Sequence, residues 1–179
     1  MAVWNVIDHT ELSGTATYWT KDSIPVASET AYDHLCIKTS QRVDASVYEQ
    51  STDLTFNASG TGYSYTYVYI QGTSLYGNNR ANSQARIVGP YSAGASVLAD
   101  TFSVSTIWIP NYANTSNYKQ ALIECRLENN SGTNYQYRMW NVAGLWSNTD
   151  AIDEIKIETS GGNFVQYSSF TLYGINGAF

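Results

Sequence analysis

The feature that most constrains the fold is a period-two alternation of apolar and polar residues that recurs along the chain. In the segment QALIECRLEN (120–129), Ile123 and Cys125 fall on one face, whereas Glu124 and Arg126 fall on the other. Successive side chains of a β-strand point to opposite faces, and a helix would instead repeat every 3.6 residues. The alternation predicts an antiparallel strand with one face in a core and one in solvent.

Similar segments occur about ten or eleven times, separated by clusters of Gly, Asn, Ser and Asp, and no three-turn amphipathic helix stands out. They include VWNVID, TATYW, DHLCIKT, DLTFN, GYSYTYVYI, QARIVG, DTFSVSTIWI, YQYRMWNV, IDEIKI and SSFTLYGI. The chain of 179 residues is long enough for one core. We therefore predict a single all-β domain over 1–179, folded as an antiparallel two-sheet sandwich of jelly-roll-like form. The segments 71–84 and 39–53 are predicted to be exposed loops.

Charged residues make up only 13% of the chain, against about 25% in a typical soluble protein. Tyrosine, at 15 copies, replaces part of that charge. Protein interfaces are likewise poor in charged residues and rich in aromatic ones. We therefore expect neighbouring chains to cover part of the surface, and we expect a homo-oligomer, with a trimer as one option. The net charge of −6 argues against nucleic acid as a partner. The sequence shows neither a signal peptide nor an 18-residue apolar run, so no membrane association is predicted.

One strand carries a stripe of aromatic residues. In GYSYTYVYI, alternate positions place Tyr63, Tyr65, Tyr67 and Tyr69 on the same face. Three interpretations remain open: a platform on which a sugar stacks, an interface with another chain, or a packed sheet face whose hydroxyls reach the rim.

No catalytic, cofactor or metal site is predicted, and the chain is not expected to be an enzyme. The histidines, His9 and His34, have no sequence neighbour that completes a triad. The acidic run NTDAIDEIKIE lacks the spacing of a calcium loop and is more typical of a solvated strand edge. Cys36 and Cys125 are too few and too far apart for a disulfide framework, so free thiols are expected.

The C-terminal half carries a more specific set of motifs. IPNYANTSNYKQ (109–120), GLWSNTDAIDEIKI (144–157) and GGNFVQYSSFTLYGI (161–175) follow one another. Together they resemble a family of small virion structural proteins of tailed bacteriophages, which close on an F-x-x-x-S-x-F-x-LYGI motif. YDHLCIK and DLTFNASGTGYSYTYVY extend the resemblance more loosely into the first half.

The resemblance implies a virion protein, assembled in the bacterial host cytoplasm, whose partners are the major capsid protein or tail proteins. We expect a capsid decoration or cement protein; the alternative is a tail or fibre-tip module that binds host glycans. The candidate contact residues are Trp4, the tyrosine stripe, Trp146 and Tyr173.

The closing motif also has a physical interpretation. Gly161 and Gly162 are predicted to turn the chain, Phe164 to plug one end of the sandwich, and Ser168 with Ser169 to satisfy open backbone groups. The final strand is expected to complete the fold, with Phe170 and Leu172 in the core and Thr171, Tyr173 and Ile175 on the other side.

Overall fold

The computed structural model describes residues 3–130 and 137–177, apart from the side chains at 78 and 79. This part of the chain contains twelve β-strands and no helix. The strands are β1 (Val3–Glu11), β2 (Tyr18–Lys21), β3 (His34–Gln41), β4 (Glu49–Phe56), β5 (Tyr63–Gln71), β6 (Ser74–Gln84), β7 (Ile87–Ala93), β8 (Ser103–Pro110), β9 (Lys119–Leu127), β10 (Arg138–Trp146), β11 (Ile155–Thr159) and β12 (Ser169–Asn176).

The strands form two antiparallel sheets that pack against each other. The larger has eight strands in the order β1-β12-β3-β8-β9-β10-β5-β6, and the smaller has four in the order β2-β11-β4-β7. This confirms the predicted all-β sandwich. The ladder β1-β12-β3-β8 facing β2-β11-β4-β7 is the strand order of an eight-stranded jelly roll, in which the chain crosses repeatedly between two sheets.

Two hairpins are inserted into this jelly roll, and both join the same sheet. β5 and β6 lie between β4 and β7 in the sequence, and β9 and β10 lie between β8 and β11. The insertions pair with each other through β10 and β5, and with the jelly roll through β8 and β9. They double the width of one sheet without widening its partner.

The core lies between the two sheets and is rich in aromatic rings. Trp19 of β2 stacks on Phe170 of β12 with ring centroids 5.5 Å apart, and Phe56 of β4 packs on Trp146 of β10 at 5.8 Å. The two sheets can approach closely at Gly144 because this residue has no side chain. A Cβ atom built on Gly144 would lie 2.7 Å from Cδ1 of Ile87.

The C-terminal motif occupies the centre of the jelly roll. The final strand, β12, pairs with β1 on one side and β3 on the other, so it completes the large sheet. Phe164 is fully buried and its backbone bridges to Ala16 and Val43. The Ser168 hydroxyl accepts from the Arg42 N–H and donates to the Arg42 carbonyl, which confirms its predicted backbone role.

Other details of that motif also follow the prediction, with two corrections. Phe170 and Leu172 are fully buried, as expected. Gly162 has a positive φ of 71°, whereas Gly161 does not need one. Ile175 lies on the side of β12 away from the core, as predicted, but it is 1% exposed and therefore is not left for a second layer or another subunit to cover. Its place next to Trp4 in the ladder lets neighbouring side chains of the same chain cover it.

The two predicted loops are mostly strands. The segment 71–84 is the turn and second strand of the β5-β6 hairpin, which Gly72 turns with a φ of 58°. Within 39–53, only residues 42–48 separate β3 from β4. The prediction for 71–84 failed because it followed the low strand propensity of Asn, Ser and Gly. Pairing of this segment with β5 outweighs that propensity. The segment NNSGTN (129–134), whose composition predicts a hairpin turn between β9 and β10, lies largely outside the described residues.

Candidate interaction surface

The large sheet presents one broad face that the small sheet does not cover, here called the outer face. It consists of the strand positions that alternate with the core-facing positions. Many of these outward positions hold apolar residues. The exposed ones are Trp4, Val6, Val68, Ile70, Leu75, Val104, Leu122 and Met139. Leu75 is 71% exposed, Val104 55% and Leu122 51%.

Strand register aligns several of these side chains. Met139 of β10 lies opposite Ile70 of β5, which in turn lies opposite Leu75 of β6. On the other side of β10, Arg126 separates Met139 from Val104 of β8. Residues paired across an antiparallel ladder share a face with their Cβ atoms about 5 Å apart. The apolar side chains therefore form a row on four strands, which Arg126 of β9 interrupts.

Shallow depressions follow this row. One of 370 Å³ lies between Val68, Leu122 and Ala143. A second, of 300 Å³, lies between Ile70, Met139 and the turn at Gly72. The outer face is therefore uneven, with apolar recesses that side chains of another protein can fill.

The outer face is large enough to be a complete interface. Eight strands at about 4.8 Å spacing span roughly 34 Å, and eight residues at about 3.3 Å per residue span roughly 26 Å, which gives about 900 Å². A standard protein–protein interface buries about 800 Å² on each partner.

Charge on the outer face is sparse and mixed in sign. The basic side chains of Lys38 and Arg126 alternate with the acidic side chain of Glu124, which lies 4.0 Å from Arg126. Two guanidinium hydrogen bonds, to the Cys125 and Trp140 carbonyls, hold Arg126 against the sheet. No patch of one sign directs this face toward a strongly charged partner.

Aromatic rings occupy the end of the outer face formed by β1, β12, β3 and β8. The ring of Trp4 meets that of Tyr173 edge-on at 5.5 Å and that of Trp108 at 6.0 Å. The Lys38 ammonium lies 5.7 Å above Trp4. Trp4 is 47% exposed and Tyr173 is partly buried beside it. Both predicted contact residues thus lie on the outer face.

Cys36 lies beneath these rings. It pairs with Tyr173 on one side and Trp108 on the other, and Trp4 contacts both rings. The thiol is fully buried, and burial raises its pKa to about 11. Cys125 is also buried and free, as expected for both cysteines. Neither thiol is available as a nucleophile near neutral pH.

The tyrosine stripe faces the opposite way, toward the small sheet. Tyr63 is 1% exposed, and burial raises its pKa to about 12. Tyr65, Tyr67 and Tyr69 are partly buried. Trp146, which stacks on Tyr63, is also 1% exposed. The prediction that Tyr63 and Trp146 are contact residues is therefore wrong, because both rings fill the core.

The rest of the stripe takes part in a continuous stack of rings. Tyr76 stacks on Tyr69 at 4.8 Å, Tyr69 on Trp140 at 4.1 Å, and Trp140 on Tyr91 at 4.0 Å. Tyr91 belongs to the small sheet, so the stack joins the two layers at the inserted hairpins. Only its far end, Tyr76, is well exposed, at 41%.

A partly buried ion pair supports the stack. The Glu49 carboxylate accepts hydrogen bonds from Arg138 and, at 3.3 Å, from the Trp140 indole. The Arg138 guanidinium also lies 5.6 Å from the centre of the Tyr69 ring. Burial raises the pKa of Glu49 above its ordinary value of 4.5, against the opposing effect of Arg138. This pair links β4 to β10 and presents no open carboxylate.

The sequence pattern did contain a signal for the outer face. Leu122 occupies a position that the alternation in QALIECRLEN assigns to solvent, and Val68 and Ile70 lie on the face of β5 opposite the tyrosine stripe. An apolar residue at one such position is common, but several on paired strands indicate a second apolar face. The strand order needed to place them side by side was not available from the sequence.

The described residues contain no cluster of His, Cys, Asp and Glu suited to a metal ion. In the same part of the chain there is no helix long and apolar enough to cross a membrane. Comparisons with protein-family models, curated proteins and solved structures find no match to this chain.

Proposed function

We propose that the protein is a structural component of a bacteriophage particle, a capsid decoration or cement protein that attaches through its outer face. One observation carries this proposal. The large sheet has an uncovered face of about interface size that carries several exposed apolar side chains, and a chain with so few charges offers little to keep those side chains solvated.

Two weaker arguments support the same setting. The jelly roll is common in viral capsid proteins, although it also occurs in lectins and enzymes, so the fold alone does not assign a function. The C-terminal motif of this chain, GGNFVQYSSFTLYGI, resembles that of phage virion proteins. In this chain the motif builds the strand that holds β1, and with it Trp4, in the sheet.

The mechanism is adhesion by many copies. Apolar side chains of the outer face fill recesses on the shell, and Trp4 with Tyr173 supplies an aromatic anchor. Buried area is worth roughly 25 cal/mol per Å² before the costs of association, so the quality of such anchors decides the affinity. We expect the copies to form a homo-oligomer, with a trimer as the first state to test.

A labelling experiment tests attachment. The purified protein, labelled with a fluorescent dye, is added to phage particles that lack it. Quantitative mass spectrometry counts the bound copies per particle, and electron microscopy locates them. We expect hundreds of copies on the capsid. Leu122→Glu would place a charge in the interface and lower the affinity by about tenfold or more.

The chain offers a matched control. Leu98→Glu makes the same change at a residue that is 61% exposed in the β7-β8 connection, away from the outer face. It should attach like the unchanged protein. Equal attachment of the Leu122→Glu and Leu98→Glu variants would contradict the role of the outer face, and absence from the particle would contradict the proposal.

The second candidate function is a tail or fibre-tip module that binds host glycans. The observation that favours it is the ring stack that ends at the exposed Tyr76, since an exposed ring at the end of a rigid stack suits a sugar face. A few copies confined to the tail, and host-cell adhesion lost in Tyr76→Ala, would support this function. Trp146, buried in the core, is unsuitable for that test.

A further inference from the structure

An open groove of 520 Å³, lined mainly by Ser, Thr, Asn, Gln and Gly residues, lies at the edge of the large sheet, where β5 begins and β6 ends. Its volume falls within the range of about 300–1,000 Å³ that is usual for small-molecule sites. It is separate from the row of apolar residues on the outer face. The residues that define its chemistry are Thr61, Gly62, Ser64, Asn82, Gln84 and Ser147.

A β-bulge opens the groove. Tyr63 pairs with Gln84 and Tyr65 pairs with Ala81, so two residues of β6 face the single residue Ser64. One of those two, Ser83, has a positive φ of 56°. A bulge bends its strand and turns side chains away from the regular pleat. Here it lies between the Tyr63–Gln84 and Tyr65–Ala81 pairs, next to the residues that line the groove.

The lining contains hydroxyl and carboxamide groups and no charged side chain. Hydroxyls donate and accept at once, and a carboxamide offers a donor and an acceptor at fixed spacing. The Gln84 amide is held in place because its Nε2 donates to the Asn82 carbonyl at 2.8 Å. Such a set matches the vicinal hydroxyls of a sugar and offers nothing to neutralise an anion.

A buried donor without a partner lies under one wall of the groove. Nε1 of Trp146 makes no hydrogen bond within the described residues. A Cβ atom added to Gly62 would lie 3.8 Å from that nitrogen and 3.3 Å from Oγ of Ser147. Leaving a buried donor unpaired costs about 1–3 kcal/mol. A ligand oxygen that reached Nε1 of Trp146 past the turn at Gly62 would accept a hydrogen bond and recover part of that cost.

We propose that this groove binds a neutral, hydroxyl-rich ligand of the saccharide class. The net charge of −6 works in the same direction, since it disfavours anionic ligands. The proposal concerns the isolated chain and is independent of attachment to a particle. It places a saccharide site away from Tyr76, the residue of the second candidate function, so it can fail while either proposed function holds.

Binding is measured on purified protein by ligand-observed NMR. The probes are short neutral oligomers of glucose, galactose, mannose and N-acetylglucosamine, with polygalacturonate as the charged comparison. We expect saturable binding of at least one neutral oligomer and none of polygalacturonate. Asn82→Ala and Gln84→Ala should each weaken binding by about fivefold to tenfold, the usual effect of removing one or two hydrogen bonds.

A further variant and a control separate binding from folding. Ala85→Trp fills the groove from an exposed position and should abolish binding while leaving the thermal midpoint nearly unchanged. Asn5→Ala removes an exposed carboxamide from β1, at the opposite edge of the sheet, and should bind like the unchanged protein. Folded protein that binds no neutral oligomer, or binding that survives Ala85→Trp, would overturn the proposal.

Discussion

The ring of Tyr91 lies parallel to the ring of Trp140, with centroids 4.0 Å apart and planes 11° apart. Tyr91 is on β7, the edge of the small sheet, and Trp140 is on β10, one of the inserted strands. Both inserted hairpins are therefore fixed to the jelly roll by direct packing between the layers as well as by the ladder to β8. This contact therefore helps to hold in place the inserted strands that extend the outer face.

A double-mutant cycle measures how strongly this contact holds the insertions. Trp140→Ala should lower the free energy of unfolding by about 3–5 kcal/mol, the usual cost of emptying a buried aromatic site. Together with Tyr91→Ala, the cycle should give a coupling energy of about 0.5–1.5 kcal/mol. Urea unfolding supplies all four values. A coupling energy near zero would show that the two rings act independently.

Gly144 and Ile87 provide a test of the distance between the sheets. Gly144→Ala should destabilise the protein by about 1–3 kcal/mol, because the new methyl group would overlap the Ile87 side chain at 2.7 Å. Ile87→Val in the same chain should recover part of this loss. Thermal unfolding of the single and double variants decides the matter. If the losses of the two single variants simply add in the double variant, the backbone, and not the Ile87 side chain, accommodates the new methyl group.

Glu49 should make stability depend on pH. Burial raises its folded pKa above 4.5, so protonated Glu49 favours the folded state. Its contribution is complete below the unfolded value and is lost as pH rises through the folded value. Glu49→Gln should therefore gain stability relative to the unchanged protein as pH rises from about 4.5 through the folded pKa of Glu49.

Chemical denaturation across that range measures the difference. Glu124→Gln, on the exposed outer face, shows the general effect of removing one negative charge. A trend of opposite sign for Glu49→Gln would mean that attraction to Arg138 outweighs burial.

Thiol labelling tests the aromatic cover over Cys36. With a pKa of about 11 and no exposed surface, Cys36 should resist maleimide at neutral pH until the protein unfolds. Trp4→Ala should speed its labelling by about tenfold or more, because Trp4 contacts both rings that flank the thiol. Cys125, buried on the other side of the sheet, is the internal control. Equal acceleration at both cysteines would indicate general unfolding.

Local pattern was enough to locate most strands. The alternation in QALIECRLEN places Ile123 and Cys125 in the core and Glu124 on the surface, as observed. The closing motif also gave the core roles of Phe164, Phe170 and Leu172 correctly, since alternation and Gly turns are properties of a few consecutive residues. The segment 71–84 was misread because its strand is specified by its neighbour rather than by its own residues.

The sequence by itself determined which side chains share a face, because the strand period is a property of the backbone. Only the tertiary structure decided which face is inside. Tyr63 faces the core and Val68 faces outward because β5 pairs with β10, whose Trp140 and Trp146 pack against the small sheet. That pairing joins residues roughly 67 to 83 positions apart in the sequence, and no short-range pattern encodes such a contact.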